Sequence, residues 1–298
     1  MPIYEVITVN VGITNLVNGI WADITNTMMT LDNIYIPTFK RHDKQIFFES
    51  LPNFLKEKVI FVVQKQEKHL FEGKNLLVVD DNIGIAKTKE IIYRTAGNQR
   101  YLVVDDDITL MRRNAKYFGK ESNMQVAKRP MIDSDWEELF TRLDMCHNEN
   151  RILCGFKAGG IMPRSQPIFY NGGIFAIFSI DGKQLSKVID DIDFNYVPIQ
   201  EDVNFNLHLL SNGYSNAIME EFCYMQKFNS AGGCSTFRTV QMQDETSKKL
   251  NLKYPKHFVI NYNRTVSKSM IGSFGTKVLY SKAYKDYIKG KSLGKLDQ

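Results

Sequence analysis

Cysteine is sparse in this sequence and poorly spaced for cofactor chemistry. The four residues, Cys146, Cys154, Cys223 and Cys234, include no Cys-x-x-Cys pair. That argues against a zinc knuckle or a dense disulfide framework and fits reduced thiols in a cytosolic protein. No run of about 18 apolar residues occurs and no basic-then-apolar leader follows Met1, so neither a membrane span nor a secretory signal is expected. Internal repeats, low-complexity tracts and linkers long enough to mark a domain boundary are also missing. Neither a Walker loop nor a Gly-x-Gly-x-x-Gly fingerprint is present, which leaves an ATPase or a nicotinamide enzyme with little support.

What remains is an ordinary globular composition, 43% hydrophobic and 24% charged over 298 residues, enough for one large α/β domain or two small ones. The formal net charge of +5 is too small to establish nucleic-acid binding by itself. Its distribution is uneven: residues 276–298 hold six lysines against two aspartates, a net of +4. Tyr280, Tyr284 and Tyr287 alternate with those lysines, a pattern compatible with a basic helix lying along phosphates or with a solvated surface helix.

From Asn33 onward, strands and helices alternate. Strands are expected at Ile34–Ile36, Val59–Val63, Leu76–Val79 and from Tyr101, with helices at Lys44–Leu51 and Ile85–Thr95; this order predicts βαβ units and a mainly parallel sheet. Ile168–Tyr170 and Ile174–Phe178, separated by Asn171-Gly172-Gly173, suggest antiparallel or mixed strands, followed by a helix from about Val203 to Ser211 with Gly213 at its C-terminal end. Before Asn33, Glu5–Val9 has the look of an edge strand, and Thr14–Met29 is weakly helical in pattern.

The segment with most chemical content is Arg100–Ile108, an apolar run that ends in Asp105-Asp106-Asp107. In an open α/β sheet, ligands gather beyond the carboxyl ends of such strands. If the strand stays extended, Asp105 and Asp107 point the same way and could share one hard cation with a diphosphate, while Asp106 points away and matters to the strand's ending. An acidic turn in solvent is the plainer alternative.

Other segments keep similar company. Thr38 and Arg41 lie in a polar loop after the first strand, where Arg41 suits a base, a diphosphate or a surface ion pair. Gly84 opens a helix to which Lys87 adds charge, as a phosphate site or as a plain helix start. Asn171-Gly172-Gly173 either leaves room for a ligand or makes a tight turn. Glu201 and Asp202 stand at a helix entrance, as a general base for an acceptor hydroxyl or as a cap. Gly232, Gly233 and Arg238 belong to a small-residue loop suited to wrapping a diphosphate, or merely flexible.

Taken in order, Ile36-Pro37-Thr38-Phe39-Lys40-Arg41, Gly84 to Lys89, Asp105-Asp106-Asp107 and Glu201-Asp202 resemble the GT-A class of nucleotide-sugar glycosyltransferases. With Asn171-Gly172-Gly173, Gln200 to Phe205 and Gly232-Gly233-Cys234, the chain from about Asn33 to Arg264 more narrowly resembles the DNA-modifying glycosyltransferases associated with thymine and methylcytosine dioxygenases. That family includes the base J glucosyltransferase and bacteriophage enzymes that glycosylate hydroxymethylated pyrimidines.

The resemblance implies an α/β, GT-A-like, Rossmann-type mixed sheet flanked by helices, forming a single domain over 1–298. Residues 33–120 would be its nucleotide-sugar half, 121–264 its acceptor side and 265–298 a basic extension. It implies that Asp105 lies near the donor ribose or metal, and that Asp107 ligates Mn²⁺ or Mg²⁺. Thr38, Arg41, Gly84, Lys87, Asp106, Gly232, Gly233 and Arg238 would contact the donor, and Asn171, Gly172 and Gly173 the acceptor. Asp202, with Glu201, would act as base, and His257 is a candidate late metal ligand.

The expected activity is hexosyl or pentosyl transfer from a nucleoside-diphosphate sugar, UDP-linked by preference, to the hydroxyl of a hydroxymethylated pyrimidine such as hydroxymethylcytosine in double-stranded DNA. Lys128, Arg129 and the C-terminal lysines would hold the DNA backbone. No membrane partner is expected, and the location is cytoplasmic, in the host if the chain is phage-encoded. A polysaccharide, lipid or protein acceptor is the alternative, and a non-catalytic nucleic-acid-binding module the second.

Overall fold

A computed structural model describes residues 31–114, 127–226, 233–263 and 272–294. The expected segments Glu5–Val9 and Thr14–Met29, and the expected donor contact Gly232, lie outside these residues.

The strands are β1 (Asn33–Pro37), β2 (Val59–Gln64), β3 (Leu76–Val79), β4 (Arg100–Val104), β5 (Ile108–Arg113), β6 (Lys128–Pro130), β7 (Leu153–Ala158), β8 (Ile168–Tyr170), β9 (Ile177–Asp181), β10 (Ala217–Gln226), β11 (Phe258–Asn261) and β12 (Gly275–Val278). The helices are α1 (Ile46–Ser50), α2 (Asn53–Lys56), α3 (Gly84–Ala96), α4 (Asp133–Asn148), α5 (Gly182–Leu185), α6 (Glu201–Ser211), α7 (Val240–Lys253) and α8 (Tyr280–Gly294).

One ten-stranded sheet runs β3-β2-β1-β4-β9-β7-β10-β5-β6, with β8 beside β10; β11 and β12 pair separately. The pairs β3/β2, β2/β1, β1/β4 and β7/β10 are parallel, whereas β9 lies antiparallel to both β4 and β7. The result is the mixed α/β sheet flanked by helices that the sequence implied, and it joins strands from both expected halves of the chain.

β1 and β4 read as unbroken apolar runs because both of their faces are covered. Ile34, Ile36, Leu102 and Val104 pack on one side with Phe47 of α1, Leu55 of α2 and Trp136 of α4. Tyr35, Tyr101 and Val103 pack on the other with Tyr93 of α3 and Phe205 of α6. A smaller cluster joins α6, α7 and α8 through Leu207, Leu210, Leu250 and Ala283.

β8 and β9 are antiparallel strands, as expected: β8 joins β10, and β9 inserts between β4 and β7. The C-terminal basic segment does form a helix, but its tyrosines are not free to face phosphates. Tyr280 and Tyr284 pack into the α6–α8 cluster and Tyr287 lies over Gly213, while Lys282, Lys285, Lys289 and Lys291 are exposed. Gly213, at φ +85°, directly follows the α6 cap residue Asn212. Among the described residues, no helix is long and apolar enough to cross a membrane.

Candidate active site

β1 and β4 are parallel neighbours, so the residues leaving their carboxyl ends, Thr38 and Asp105, emerge side by side. Asp105-Asp106-Asp107 is not an extended continuation of β4. The chain turns there before β5 begins, and the three carboxylates separate into two groups.

The first group forms around Arg41. Its Nη1 donates to Asp106 Oδ1 at 2.7 Å and to Asp107 Oδ2 at 2.9 Å. Thr38 Oγ1 donates to Asp106 Oδ2 at 2.7 Å, and Gln226 Nε2 at the end of β10 donates to Asp107 Oδ1 at 2.8 Å. Gln45 Nε2 ties Thr38 Oγ1 to the Arg41 carbonyl at 2.9 and 2.8 Å. Asp106 therefore does not point away as a strand ending; it is a buried partner of Thr38 and Arg41. Burial pushes its carboxyl up, and those two hydrogen bonds oppose the rise. Gly233 N–H donates to Phe39 O at 3.0 Å, and a Cβ on Gly233 would stand 3.2 Å from the Arg41 guanidinium carbon.

The second group forms around Lys89. This side chain lies on the buried stripe of α3 with Ala86, Tyr93 and Ala96, and its Nζ pairs with Glu201 Oε1 at 2.7 Å. Burial works against its charge, but Glu201 and Asp105 more than offset that and keep it protonated. Gln200, at φ +58°, turns the chain into α6 and sets Glu201 and Asp202 in the first turn.

Asp202 is not the cap of α6, and burial pushes its carboxyl up to about 7, with Glu201 adding to the rise and Lys89 opposing it. Asp105 also rises to about 7, first through burial, then with Lys89 opposing and Asp107 and Glu201 adding to the effect. Two carboxyls poised near neutrality beside one buried ammonium are suited to proton transfer. Arg238 lies within electrostatic reach of Asp202, as do the phenols of Tyr224 and Tyr280, both raised chiefly by burial.

Several sequence-derived assignments move. Lys87 pairs with Glu90 at 2.8 Å on the outer face of α3, so Lys89 is the cation that α3 brings to the acids. The sequence signal for Lys89 is its place on the apolar stripe Ala86, Lys89, Tyr93, Ala96. Gly84, at φ +77°, opens α3 as expected.

Asn171-Gly172-Gly173 leaves no ligand space. A Cβ on Gly172 would meet Ile218 at 2.5 Å, and one on Gly173 would meet the Tyr280 ring at 2.4 Å. The buried amides of Asn216 and Asn206 clamp the backbone of Gly172 and Ile174. His257 Nε2 lies 3.0 Å from Asp286 on α8, an engagement separate from the aspartates. Arg129 pairs with Asp135, and Lys128 Nζ donates to Gly159 O at 2.7 Å. Among the described residues, no three His, Cys, Asp or Glu side chains converge as a metal-binding group. Tyr224, Gln226 and Tyr280 carry no motif and enter only through the fold.

Paired acids beyond the carboxyl ends of parallel strands, on a mixed α/β sheet, suit transfer to a hydroxyl, and the comparisons define the class as glycosyltransferase. Residues 33–233 match the model of the TET-associated glycosyltransferases, and the chain belongs to that family. The chain is also 24% identical over 212 residues to the beta-glucosyl-HMC-alpha-glucosyl-transferase of Enterobacteria phage T2, spanning 66% of this chain and 72% of that one. Among solved structures, it aligns with the inositol-1-phosphate CTP transferase of T. maritima at a TM-score of 0.34 and 8% identity, covering 74% of this chain and 97% of that one.

Proposed function

We propose that this glycosyltransferase moves a sugar from a nucleoside diphosphate, UDP by preference, to the hydroxyl of a hydroxymethylated pyrimidine in DNA. The observation that carries the reading is the Lys89 cluster, where Asp105 after β4 and Asp202 in the first turn of α6 are both held near neutrality. The family match and the relative whose name gives glucosyl transfer involving beta-glucosyl-HMC support an acceptor of the hydroxymethylated-pyrimidine class.

In this reading, Asp202 accepts the proton of the acceptor hydroxyl as its oxygen bonds to the anomeric carbon and the bond to the diphosphate breaks. Lys89 pairs with Glu201 and limits how far the proton affinity of Asp202 rises. Arg41 orients Asp106 and Asp107, and Gly233, lacking a Cβ, leaves room for that guanidinium.

Carboxylate oxygens are the donor type that a hard divalent ion takes. The carboxylates crowding Asp105, foremost Asp107, are charge that a cation offsets, and Mg²⁺ is commonly bound by one or two carboxylates with phosphate oxygens supplying the rest. Asp105 and Asp107 would hold Mn²⁺ or Mg²⁺, which would neutralise charge on the departing diphosphate.

The test is mass spectrometry of hydroxymethylated duplex DNA incubated with a panel of nucleotide sugars, with Mn²⁺, Mg²⁺ or a chelator. A mass increase of one sugar that disappears with the chelator is expected. No transfer from any donor would overturn the acceptor assignment, and transfer unaffected by the chelator would overturn the metal.

A further inference from the structure

The turn between β7 and β8 is built unlike an ordinary surface loop. Residues 159–167 read Gly-Gly-Ile-Met-Pro-Arg-Ser-Gln-Pro. Ile161 is 50% exposed and Met162 43%, side by side, whereas the Pro163 that follows is buried. Adjacent exposed apolar side chains are ordinarily a liability, and a loop that presents them usually presents them to something.

This loop is also held from beneath. Arg113, fully buried, donates from Nη2 to the carbonyls of Ala158 and Ile161 at 2.9 and 2.8 Å. Its charge is met by Glu220 at 3.5 Å, which also pairs with Lys157 at 2.7 Å. Glu220 N–H donates to Pro167 O at 2.8 Å, and the Arg164 guanidinium lies 3.3 Å from the centre of the Phe169 ring. A buried ion network of this kind is weak evidence for stability, so its clearest effect here is to fix the shape of the loop.

The loop adjoins the acids through β10. Gly159 N–H donates to Tyr224 O at 2.7 Å, and the Tyr224 phenol lies within electrostatic reach of Asp105 and Asp202. Two residues on, Gln226 holds Asp107. Met225, itself 42% exposed, packs so closely on Gly159 that a Cβ there would stand 2.3 Å from its sulfur. Ile161 and Met162 thus stand exposed on a loop whose base, Gly159, packs on Met225 of the strand that also carries Tyr224 and Gln226. Among the described residues, Lys128 on Gly159 O and Arg164 on the Phe169 ring stand at the two ends of the loop, engaged by a carbonyl and a ring rather than by a carboxylate.

We propose that the 159–167 loop is a wedge that enters the base stack of duplex DNA beside the target nucleotide, with Ile161 and Met162 replacing lost stacking and Lys128 and Arg164 on the flanking phosphates. Rigid apolar side chains inserted between base steps are a known way to unstack a duplex, and a base handled by an enzyme is commonly extruded. The inference rests on the DNA-acceptor reading above and deepens it.

The experiment compares the wild-type chain with Ile161→Ser/Met162→Ser, two exposed positions whose exchange leaves the thermal unfolding midpoint as a control on folding. Duplex and single-stranded oligonucleotides carry one 5-hydroxymethylcytosine with 2-aminopurine beside it. The wild type is expected to raise 2-aminopurine fluorescence in the duplex without any sugar donor, and the variant to lose that rise. With the donor that supports wild-type transfer, the loss of kcat/KM on the duplex should exceed that on the single strand at least tenfold. Equal losses on both, unchanged duplex transfer, or a change from dimer to monomer by light scattering would overturn the wedge. A wild-type fluorescence rise without transfer from any donor would support the wedge and instead sink the acceptor chemistry.

Discussion

Three consecutive aspartates end β4, and the two ways in which they are held differ sharply. On the Arg41 side, Asp106 and Asp107 each receive hydrogen bonds, from Thr38, Arg41 and Gln226, so charge is met by fixed donors. On the Lys89 side, one ammonium faces Asp105, Glu201 and Asp202, and two of those carboxyls are left near neutrality. The first arrangement is good for holding geometry and poor for moving a proton. The second has the opposite character. Adjacent residues in a chain thus acquire different chemistry from partners about 65 residues upstream and nearly 100 downstream.

The comparison breaks first at Asp202. Asp202→Asn should lower kcat by a factor on the order of 10²–10⁴, the usual contribution of a positioned proton acceptor, while donor affinity stays within a few-fold. Equal losses in both would make Asp202 a binding residue.

On the other side, Asp106→Ala leaves the buried Arg41 short of a partner and should cost about 3–5 kcal/mol in urea unfolding, the range for breaking a buried pair. A cost near zero would show that the remaining partners of Arg41, Asp107 among them, satisfy it.

The third test is pH. The Asp202 carboxyl titrates at about 7 in the folded chain against an ordinary value of 3.8, so between those values the folded state binds more protons and stability falls as pH rises. Asp202→Asn should remove that part of the slope, so its advantage in urea midpoint over wild type grows from about pH 5 to about pH 8, and wild-type kcat/KM should rise through about pH 7. An advantage independent of pH would put the carboxyl back in its ordinary range.

The smallest effect separates two lysines on one helix. Lys87→Ala should change stability by no more than about 0.5 kcal/mol, as exposed substitutions do. Lys89→Met should move the apparent kinetic pKa upward, since it removes the cation opposing the rise at Asp105 and Asp202. Equal pH profiles for the two variants would erase the distinction.

That pair of lysines also shows what was legible in the sequence. The strands at β1 to β4 and helices α3 and α6 announce themselves because burial on both faces demands continuous apolar runs and because apolar stripes repeat at helical spacing. Asp105, Glu201 and Asp202 stood out because acids at element ends are chemically conspicuous. Lys89 did not, since a lysine beside Lys87 reads as another solvated charge until the stripe through Tyr93 is counted. The partnership of Arg41 with Asp106 spans 65 residues and has no local signature. Asn171-Gly172-Gly173 looked open because nothing near it in sequence foretells that Tyr280, more than 100 residues later, fills the space.

The insertion of β9 has a consequence for how the chain matures. β4 pairs with β1 on one edge, but its other edge is closed only by residues 177–181, and Asp105 N–H is held by Ala176 O at 2.9 Å. Until that stretch has been synthesised, Tyr101-Leu102-Val103-Val104 forms an open, apolar strand edge, the kind of surface that recruits other chains. A nascent polypeptide halted before β9 would therefore be aggregation-prone as well as inactive.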